Sequence, residues 1–534
     1  MRRWNGWGDD AIESVLAPTA AEFLSHQIGV GSTVADASLA AVCAGVAASR
    51  LAPHPLYDCD VELRVRHSVG QSLPDWLKLR YGRIDAVPDA VAFPESSAEV
   101  ANLLAHASAH GIALIPYGGG TSVVGHLTVP LTARAVISVD MRRMSQLLNL
   151  DTQAQLATFG AGVFGPDLEA QLRAHAYTLG HFPQSFEYST LGGWVVTRSS
   201  GQQSLRYGRI EQLFAGGRVE TPRGTLSLPS FPASAAALDL RELVLGSEGR
   251  IGILTEVTVR VRAQPATEEF HAFFFPQWDA AQSAVMEIVR AVPGLSMLRL
   301  SNAAETATSL QLAGASRLLA LLQRYLAWRG CGEQRCLLLV GASGDAAAVR
   351  TALAPARRLA RAHGGIAVGR AIGEKWRHGR FKNVYLRNSL WQQGYAIDTV
   401  ETACNWPQVK NMMTALESAA QQAFAQDGER VHGYTHLSHM YAQGASVYST
   451  FVFRLSGDYE RDLARWQRLK AATAMAIVAH GGTISHQHGV GQDHAPYLQA
   501  EKGALGLATM AAVYRHFDPE GMMNPHKTLP ERLT

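Results

Sequence analysis

Apolar positions recur along this chain with two different periods, and the points where the period changes mark its elements. Residues 88–93 (P-D-A-V-A-F) form a short apolar run of the kind that makes a buried strand. Ser96, followed three residues later by Glu99, is a capping-box pattern that opens a helix running to His110, and Gly111 closes it. A second apolar run, residues 112–115, predicts another strand and delivers the chain directly into Gly118, Gly119, Gly120, Thr121 and Ser122. Three successive glycines let the backbone fold tightly enough for several N–H groups to face one anion, and the two hydroxyls add donors. Strand, helix, strand and glycine turn together predict a cradle for the diphosphate of a nucleotide cofactor. No Gly-x-x-x-x-Gly-Lys-Ser/Thr pattern occurs, which excludes a P-loop and makes flavin adenine dinucleotide (FAD) the better candidate.

Farther on, residues 253–261 alternate with period two and predict a strand, as does the Phe-rich run 270–275. Residues 310–328 and 459–480 carry helical periodicity, and the Ala-rich run 37–49 predicts a packed helix too short to cross a bilayer. Gly160, Gly162 and Gly165 match the dinucleotide fingerprint Gly-x-Gly-x-x-Gly. Pro166 and Asp167 start a helix immediately afterwards, so the run reads as a turn. These patterns divide the chain into an N-terminal scaffolding region of helices and loops (1–84), a cofactor domain (85–264), a covering domain (265–455) and a C-terminal return segment (456–534).

Composition narrows the function class. With 534 residues, 47% hydrophobic and 17% charged, the chain is long enough for two or three domains with their own cores. A net charge of +3 without long basic runs gives no nucleic-acid footprint and leaves small molecules as the expected partners. Cys43, Cys59, Cys331, Cys336 and Cys404 are odd in number and scattered, which suits a reducing cytoplasm, and no signal-peptide pattern is read at the start.

The glycine cradle, residues 183–194 (P-Q-S-F-E-Y-S-T-L-G-G-W), 197–201 (T-R-S-S-G) and 246–252 (G-S-E-G-R-I-G) resemble, in that order, the FAD-binding segments of vanillyl-alcohol oxidase-type flavoproteins. Within that superfamily the chain is similar to the alkylglycerone-phosphate synthase (alkyl-dihydroxyacetonephosphate synthase) family. Residues 3–8 (R-W-N-G-W-G) and 485–491 (S-H-Q-H-G-V-G) share the likeness, which spans nearly the whole chain. The resemblance implies an α+β fold, a two-part FAD-binding domain under a cap of antiparallel sheet and helices. It also implies a non-covalent FAD, because the cradle holds no His or Cys before His126.

Carried over residue by residue, the resemblance assigns cofactor contacts to Pro116, Gly118, Gly119, Gly120, Thr121, Ser122, Pro183 and Ser185. Glu248, Gly249, Gly252 and Ile253 join them. Ser189, Thr190, Gly192, Gly193, Thr197, Ser199 and Ser200 are small residues suited to offering donors to the flavin ring and ribityl chain, and Arg198 to tuning its charge. Phe182, Phe186 and Trp194 read as core or ring-stacking neighbours. Arg387 matches the family's substrate-binding arginine. Arg299 matches a second active-site arginine and stays open between that role and a surface ion pair. Tyr448 matches the acid/base tyrosine, a role expected to need a lowered phenol pKa. His486 and His488 match two of three consecutive histidines, the middle one being Gln487 here, and Asn388 stands where the family has Asp.

His432, His436 and His439 invite a metal reading. The ligand pattern of related 2-hydroxy-acid dehydrogenases falls near His436, at or near Tyr448, and at Gln487; a phenol and an amide are poor replacements, so no catalytic metal is expected. Two activities follow from the resemblance. One exchanges the acyl group of acylglycerone phosphate for a fatty alcohol, with flavin N5 as electrophile and an adduct there. The other is FAD-dependent oxidation of a 2-hydroxy acid or other alcohol. The first expects an anionic substrate with an apolar chain. Peripheral membrane contact and a homodimer are left open.

Overall fold

In the computed structural model, residues 2–312, 317–530 and 533 are described. Strands β1 (Ala90–Ala92), β2 (Ala113–Tyr117) and β3 (Val136–Asp140) form a parallel sheet in the order β1-β3-β2. The helix Ser97–His110 covers it as expected. Ser96 Oγ accepts the Glu99 N–H at 3.2 Å, and Gly111 ends the helix at φ 64°. Glu99 reaches one residue farther back than a capping box, taking the Glu95 N–H at 2.8 Å. Its buried side chains Val100, Leu103, Leu104 and Ala107 lie on one face, as the 3.6-residue period requires, and pack into the core of this sheet.

Strands β4 (Leu147–Asp151), β5 (Leu156–Gly160), β6 (Tyr177–Thr178), β7 (Phe214–Thr221), β8 (Gly224–Leu228), β9 (Ile253–Arg260) and β10 (Arg262–Ala263) follow. Five of them pair antiparallel in the order β4-β5-β9-β7-β8, and β6 with β10 makes a two-stranded ribbon. The glycines of the fingerprint-like run serve close backbone contact. A Cβ on Gly162 would stand 1.7 Å from the Met141 carbonyl oxygen, and one on Gly160 2.3 Å from that of Met144.

The largest sheet holds β11 (Thr267–Phe275), β12 (Leu295–Ser301), β13 (Cys336–Gly344), β14 (Ile366–Ala367), β15 (Tyr395–Asn405), β16 (Val431–Met440) and β17 (Gly444–Arg454). They pair antiparallel in the order β14-β11-β13-β12-β16-β17-β15. On β11, Phe273 and Phe275 enter the main core while Phe270 and Phe274 enter a smaller one on the other face, the period-two pattern at work. Strand β17 is buried along its length except at Arg454, which is why it reads as a continuous apolar run. Its register sets Tyr448 opposite Glu401 of β15 and His436 of β16, and His436 in turn opposite Ser301 of β12.

Three expectations change. The run 37–49 is helical only over Leu39–Ala44, where Gly45 ends it, and of that helix only Val42 is buried, because the alanines offer little apolar area. The run 310–328 holds the end of one helix, Ala303–Leu312, and a second, Arg317–Trp328; residues 313–316 lie outside the described residues. The N-terminal region does more than scaffold. Trp7 exchanges backbone hydrogen bonds with the Asn388 side chain at 3.1 and 2.9 Å, which pins that segment beside the site described next.

After the helix Tyr459–Ala479 the chain returns to the first sheet. Leu114 of β2 donates to the Met522 carbonyl at 2.9 Å and accepts from the Asn524 N–H at 2.8 Å, so the C-terminal segment is tied into the cradle strand.

Candidate active site

A cavity of ≈ 1310 Å³ lies between the large sheet and the two smaller ones. Every residue expected to touch the cofactor lines it except Arg198. Arg198 ends the helix Leu191–Thr197 in the left-handed conformation and turns outward, pairing with Glu242 and donating Nε to the Leu245 carbonyl. The glycine turn packs directly on residues 188–190: a Cβ on Gly119 would stand 1.6 Å from the Tyr188 carbonyl oxygen, and one on Gly118 2.3 Å from Thr190 Oγ1. Ser200 Oγ, Gln202 Oε1, Gln487 Oε1 and Asn524 Oδ1 are buried without a protein partner, and all four residues line the cavity. Its volume exceeds the roughly 300–1,000 Å³ of an ordinary small-molecule pocket. A tight glycine turn, unpartnered polar groups and this volume fit a dinucleotide with a second ligand beside it.

Beside the cradle, His126 Nδ1 is 2.8 Å from Ser122 Oγ and its Nε2 is 3.0 Å from Glu248 Oε2. Glu248 also accepts the Val490 and Gly491 N–H groups at 2.6 and 2.8 Å. Glu248 thereby joins the cradle to the 485–491 turn, a contact across more than two hundred residues that no sequence pattern announces.

The chemistry gathers on the row set by β15, β16 and β17. The Tyr448 ring stacks on His436 with centroids 4.9 Å apart and meets the edge of His488 at 5.6 Å. Burial pushes the phenol up to about 12, partly offset by a hydrogen bond with Thr399, which corrects the expectation of a lowered value. Burial lowers His488 as well, although Glu401 opposes it, so its imidazole is neutral near pH 7. Glu401, 1% exposed, takes four donors: Ser485 Oγ at 2.7 Å and the N–H groups of His486, Gln487 and His488 at 2.8, 3.1 and 3.0 Å. Burial alone would raise its carboxyl, but the two histidines and these bonds outweigh it and hold the group at about 2.

The expected catalytic residues divide. Tyr448, His488, Arg387 and Arg299 line the cavity and His486 does not. Its Nε2 lies 2.6 Å from Tyr441 Oη, and Arg209 Nη2 donates to its carbonyl at 2.8 Å. Successive residues of the tight turn point in different directions, so Gln487 and His488 face the cavity while His486 is turned behind it. Neither arginine is a surface ion pair. Arg387 stacks on Trp76 at 4.3 Å and donates to the Gln71 carbonyl at 2.6 Å, and burial lowers it to about 10. Arg299 is bound to Glu305 at 2.5 Å and lies 3.1 Å from His436 Nε2. Glu305, which the sequence reading missed, is buried yet held at about 2 by His436 and Arg299.

The three histidines considered for a metal part company: His432 is 2.8 Å from Thr308 Oγ1, His436 2.9 Å from Glu305, and His439 3.1 Å from the Gly201 carbonyl oxygen. Among the described residues no three His, Cys, Asp or Glu side chains converge as metal ligands. Away from the cradle the lining turns apolar, through Leu310, Leu318, Leu322, Leu337, Leu339 and Ile372. Trp7, His436 and Asn524 also line the cavity, as do Glu305, Asp398 and Tyr434, which were not read as site residues because their neighbours in space are distant in sequence.

Comparison with known proteins agrees with this geometry. Residues 88–227 match the FAD binding domain family, and residues 264–528 match the C-terminal domain of FAD linked oxidases. The chain is 31% identical over 485 residues to an alkyldihydroxyacetonephosphate synthase of Dictyostelium discoideum, covering 90% of this chain and 79% of that one. It is 30% identical over 480 residues to the synthase of Trypanosoma brucei brucei, covering 88% and 78%. A solved alkyldihydroxyacetonephosphate synthase structure superposes with a TM-score of 0.85 at 27% identity, covering 98% of both chains.

Proposed function

From the premise that this chain belongs to the alkyldihydroxyacetonephosphate synthase family and uses FAD, we propose that it forms an ether bond by exchanging the acyl group of acylglycerone phosphate for a fatty alcohol. The exchange releases a fatty acid and has no net redox change. The observation that carries this reading is the apolar arm of the cavity, lined by leucines of the covering domain, which suits a long hydrocarbon chain, whereas a short 2-hydroxy acid has no use for it.

The residues divide the work as follows. The 118–122 turn, with the segments 183–200 and 248–253, holds FAD, which when bound supplies an electrophilic ring nitrogen. Residues 85–264 thus carry the cofactor, 265–455 cover the substrate, and 456–534 bring back the histidine turn. Neutral His488 takes the proton from the reacting carbon. Tyr448 keeps its proton and donates a hydrogen bond to the oxygen on which negative charge develops. Arg387 offers its charge to the substrate's anionic end, and Arg299, engaged by Glu305, orients His436 against the Tyr448 ring. His486 acts from behind as a positioning residue. No described helix is long and apolar enough to cross a membrane; peripheral contact accompanies the reading, because both substrates partition into bilayers.

Purified holoprotein incubated anaerobically with acylglycerone phosphate and oxygen-labelled fatty alcohol is expected to place the label in the ether product while the flavin is not fully reduced. Rapid bleaching of the flavin by a 2-hydroxy acid, with no labelled ether, would replace this reading by the dehydrogenase.

The cofactor is expected to dissociate. His126 Nδ1 is engaged by Ser122 and its Nε2 lies against the Glu248 carboxylate, and among the described residues no cysteine lines the cavity. Acid precipitation should therefore leave the yellow colour in the supernatant; colour retained in the pellet would mean a covalent link.

A further inference from the structure

The cavity wall contributed by residues 375–387 is rich in cations. Lys375, Arg380, Lys382 and Arg387 line it. The carboxylates in the same lining are engaged elsewhere: Glu248 by the Val490 and Gly491 N–H groups, Glu305 by Arg299 and His436, and Asp398 by Trp466 Nε1 at 2.8 Å. Arg380 differs from the other cations. It is 9% exposed, and its guanidinium carbon lies 4.8 Å from the Phe182 ring centroid, 4.9 Å from that of Phe381 and 5.9 Å from that of Trp376. Nε and Nη1, covered by these neighbours, bond to nothing, and no ion pair holds Arg380 among the described residues. Glu268 acts on it through space without pairing, and aromatic faces compensate only part of the cost of burying a guanidinium, so the fold leaves this charge without a paired carboxylate.

We propose that Arg380, with Lys375 and Lys382 on the same stretch of wall, joins Arg387 in taking the phosphate of the substrate headgroup. A phosphate monoester carries nearly two negative charges near pH 7, which matches a cluster of cations better than the single charge of a carboxylate. The helix Ala371–Gly379, which carries Lys375 and ends at Arg380, lines the apolar arm through Ile372 and Trp376, so a headgroup held here places its chain along that arm. The identity of the substrate rests on the synthase reading; the anion site does not. Two sources of phosphate exist, the substrate and the FAD diphosphate. The position favours the first, because the glycine turn after β2 already serves the second.

The test uses holoprotein with glycerone phosphate and inorganic phosphate as probes, binding being followed by calorimetry. Arg380→Gln is expected to retain FAD, to bind glycerone phosphate at least about 10-fold more weakly and to raise KM for acylglycerone phosphate alike, leaving KM for the alcohol unchanged. Arg380→Lys should stay within a few-fold of the parent. The double change Lys375→Gln, Lys382→Gln affects exposed residues and should weaken glycerone phosphate binding should Arg380→Gln fail to fold. Parental affinity in Arg380→Gln, or in the double variant where that one does not fold, overturns the proposal. So does a parent that binds neither probe. Loss of FAD from a folded Arg380→Gln protein would assign the charge to the cofactor and also overturn it. Holoprotein that binds phosphate through Arg380 but makes no ether would keep the anion site and sink the synthase reading instead.

Discussion

Tyr448→Phe is expected to lower turnover by about 10²-fold or more, the usual scale for losing a hydrogen-bond donor to developing charge, while the protein folds and keeps its FAD. The ring stays where it is, because its stacking on His436 and its edge contact with His488 need only the aromatic face. What disappears is the hydroxyl and its bond with Thr399, worth about 1 kcal/mol of stability. The phenol sits at about 12, so it holds its proton throughout the working range and puts no step of its own in the pH profile below about 11. Any loss of activity on the acid side should follow His488 and fall below the ordinary histidine range, because burial lowers that group. Assays across pH, with flavin content and melting temperature as controls, check both parts. A Phe variant with normal FAD and near-parental turnover would reduce Tyr448 to a packing residue.

Glu401→Ala should do more damage to the fold. The carboxylate accepts four donors within one turn, and alanine leaves all four buried beside a void. Breaking a buried charged network of this kind costs about 3–5 kcal/mol, measured here as a shift in denaturant midpoint. Turnover should fall with it, since the N–H groups of Gln487 and His488 lose their anchor, whereas the glycine turn is untouched and FAD should remain. Glu401→Gln should rescue little, because its amide presents N–H to N–H. The carboxyl is held at about 2 against an ordinary 4.5, so its contribution is full above about 4.5 and is lost as the pH falls through about 2. Glu305, also held at about 2, follows the same direction. The parent should therefore lose stability on acidification through this window, and the Glu401→Ala variant should lose less. Equal stability and turnover in parent and variant would show that the turn holds itself without Glu401.

Local order was legible in the chain itself. Ser96 and Gly111 bound their helix because a hydroxyl cap and a left-handed glycine act within a few residues, and the glycines at 118–120 announce a tight turn through their own lack of Cβ. Period two on β11 likewise divides its phenylalanines between two cores. With the likeness of its FAD segments, the sequence carried the fold class, the cofactor and the cofactor side of the cavity. Tertiary structure alone decided how charges and rings meet. His486 and His488 are two residues apart and look equivalent in sequence, yet the turn sends one to Tyr441 and the other to Tyr448. Arg299 stays open between an active-site role and a surface ion pair until Glu305 is brought to it inside the cavity, and the lowered pKa that an acid/base role asks of Tyr448 is ruled out only by its burial. Glu401 and Arg380 carry no pattern of their own. One is defined by four donors from residues more than eighty positions away, the other by the partner it lacks, and burial and pairing are properties of the packed chain rather than of any stretch of it.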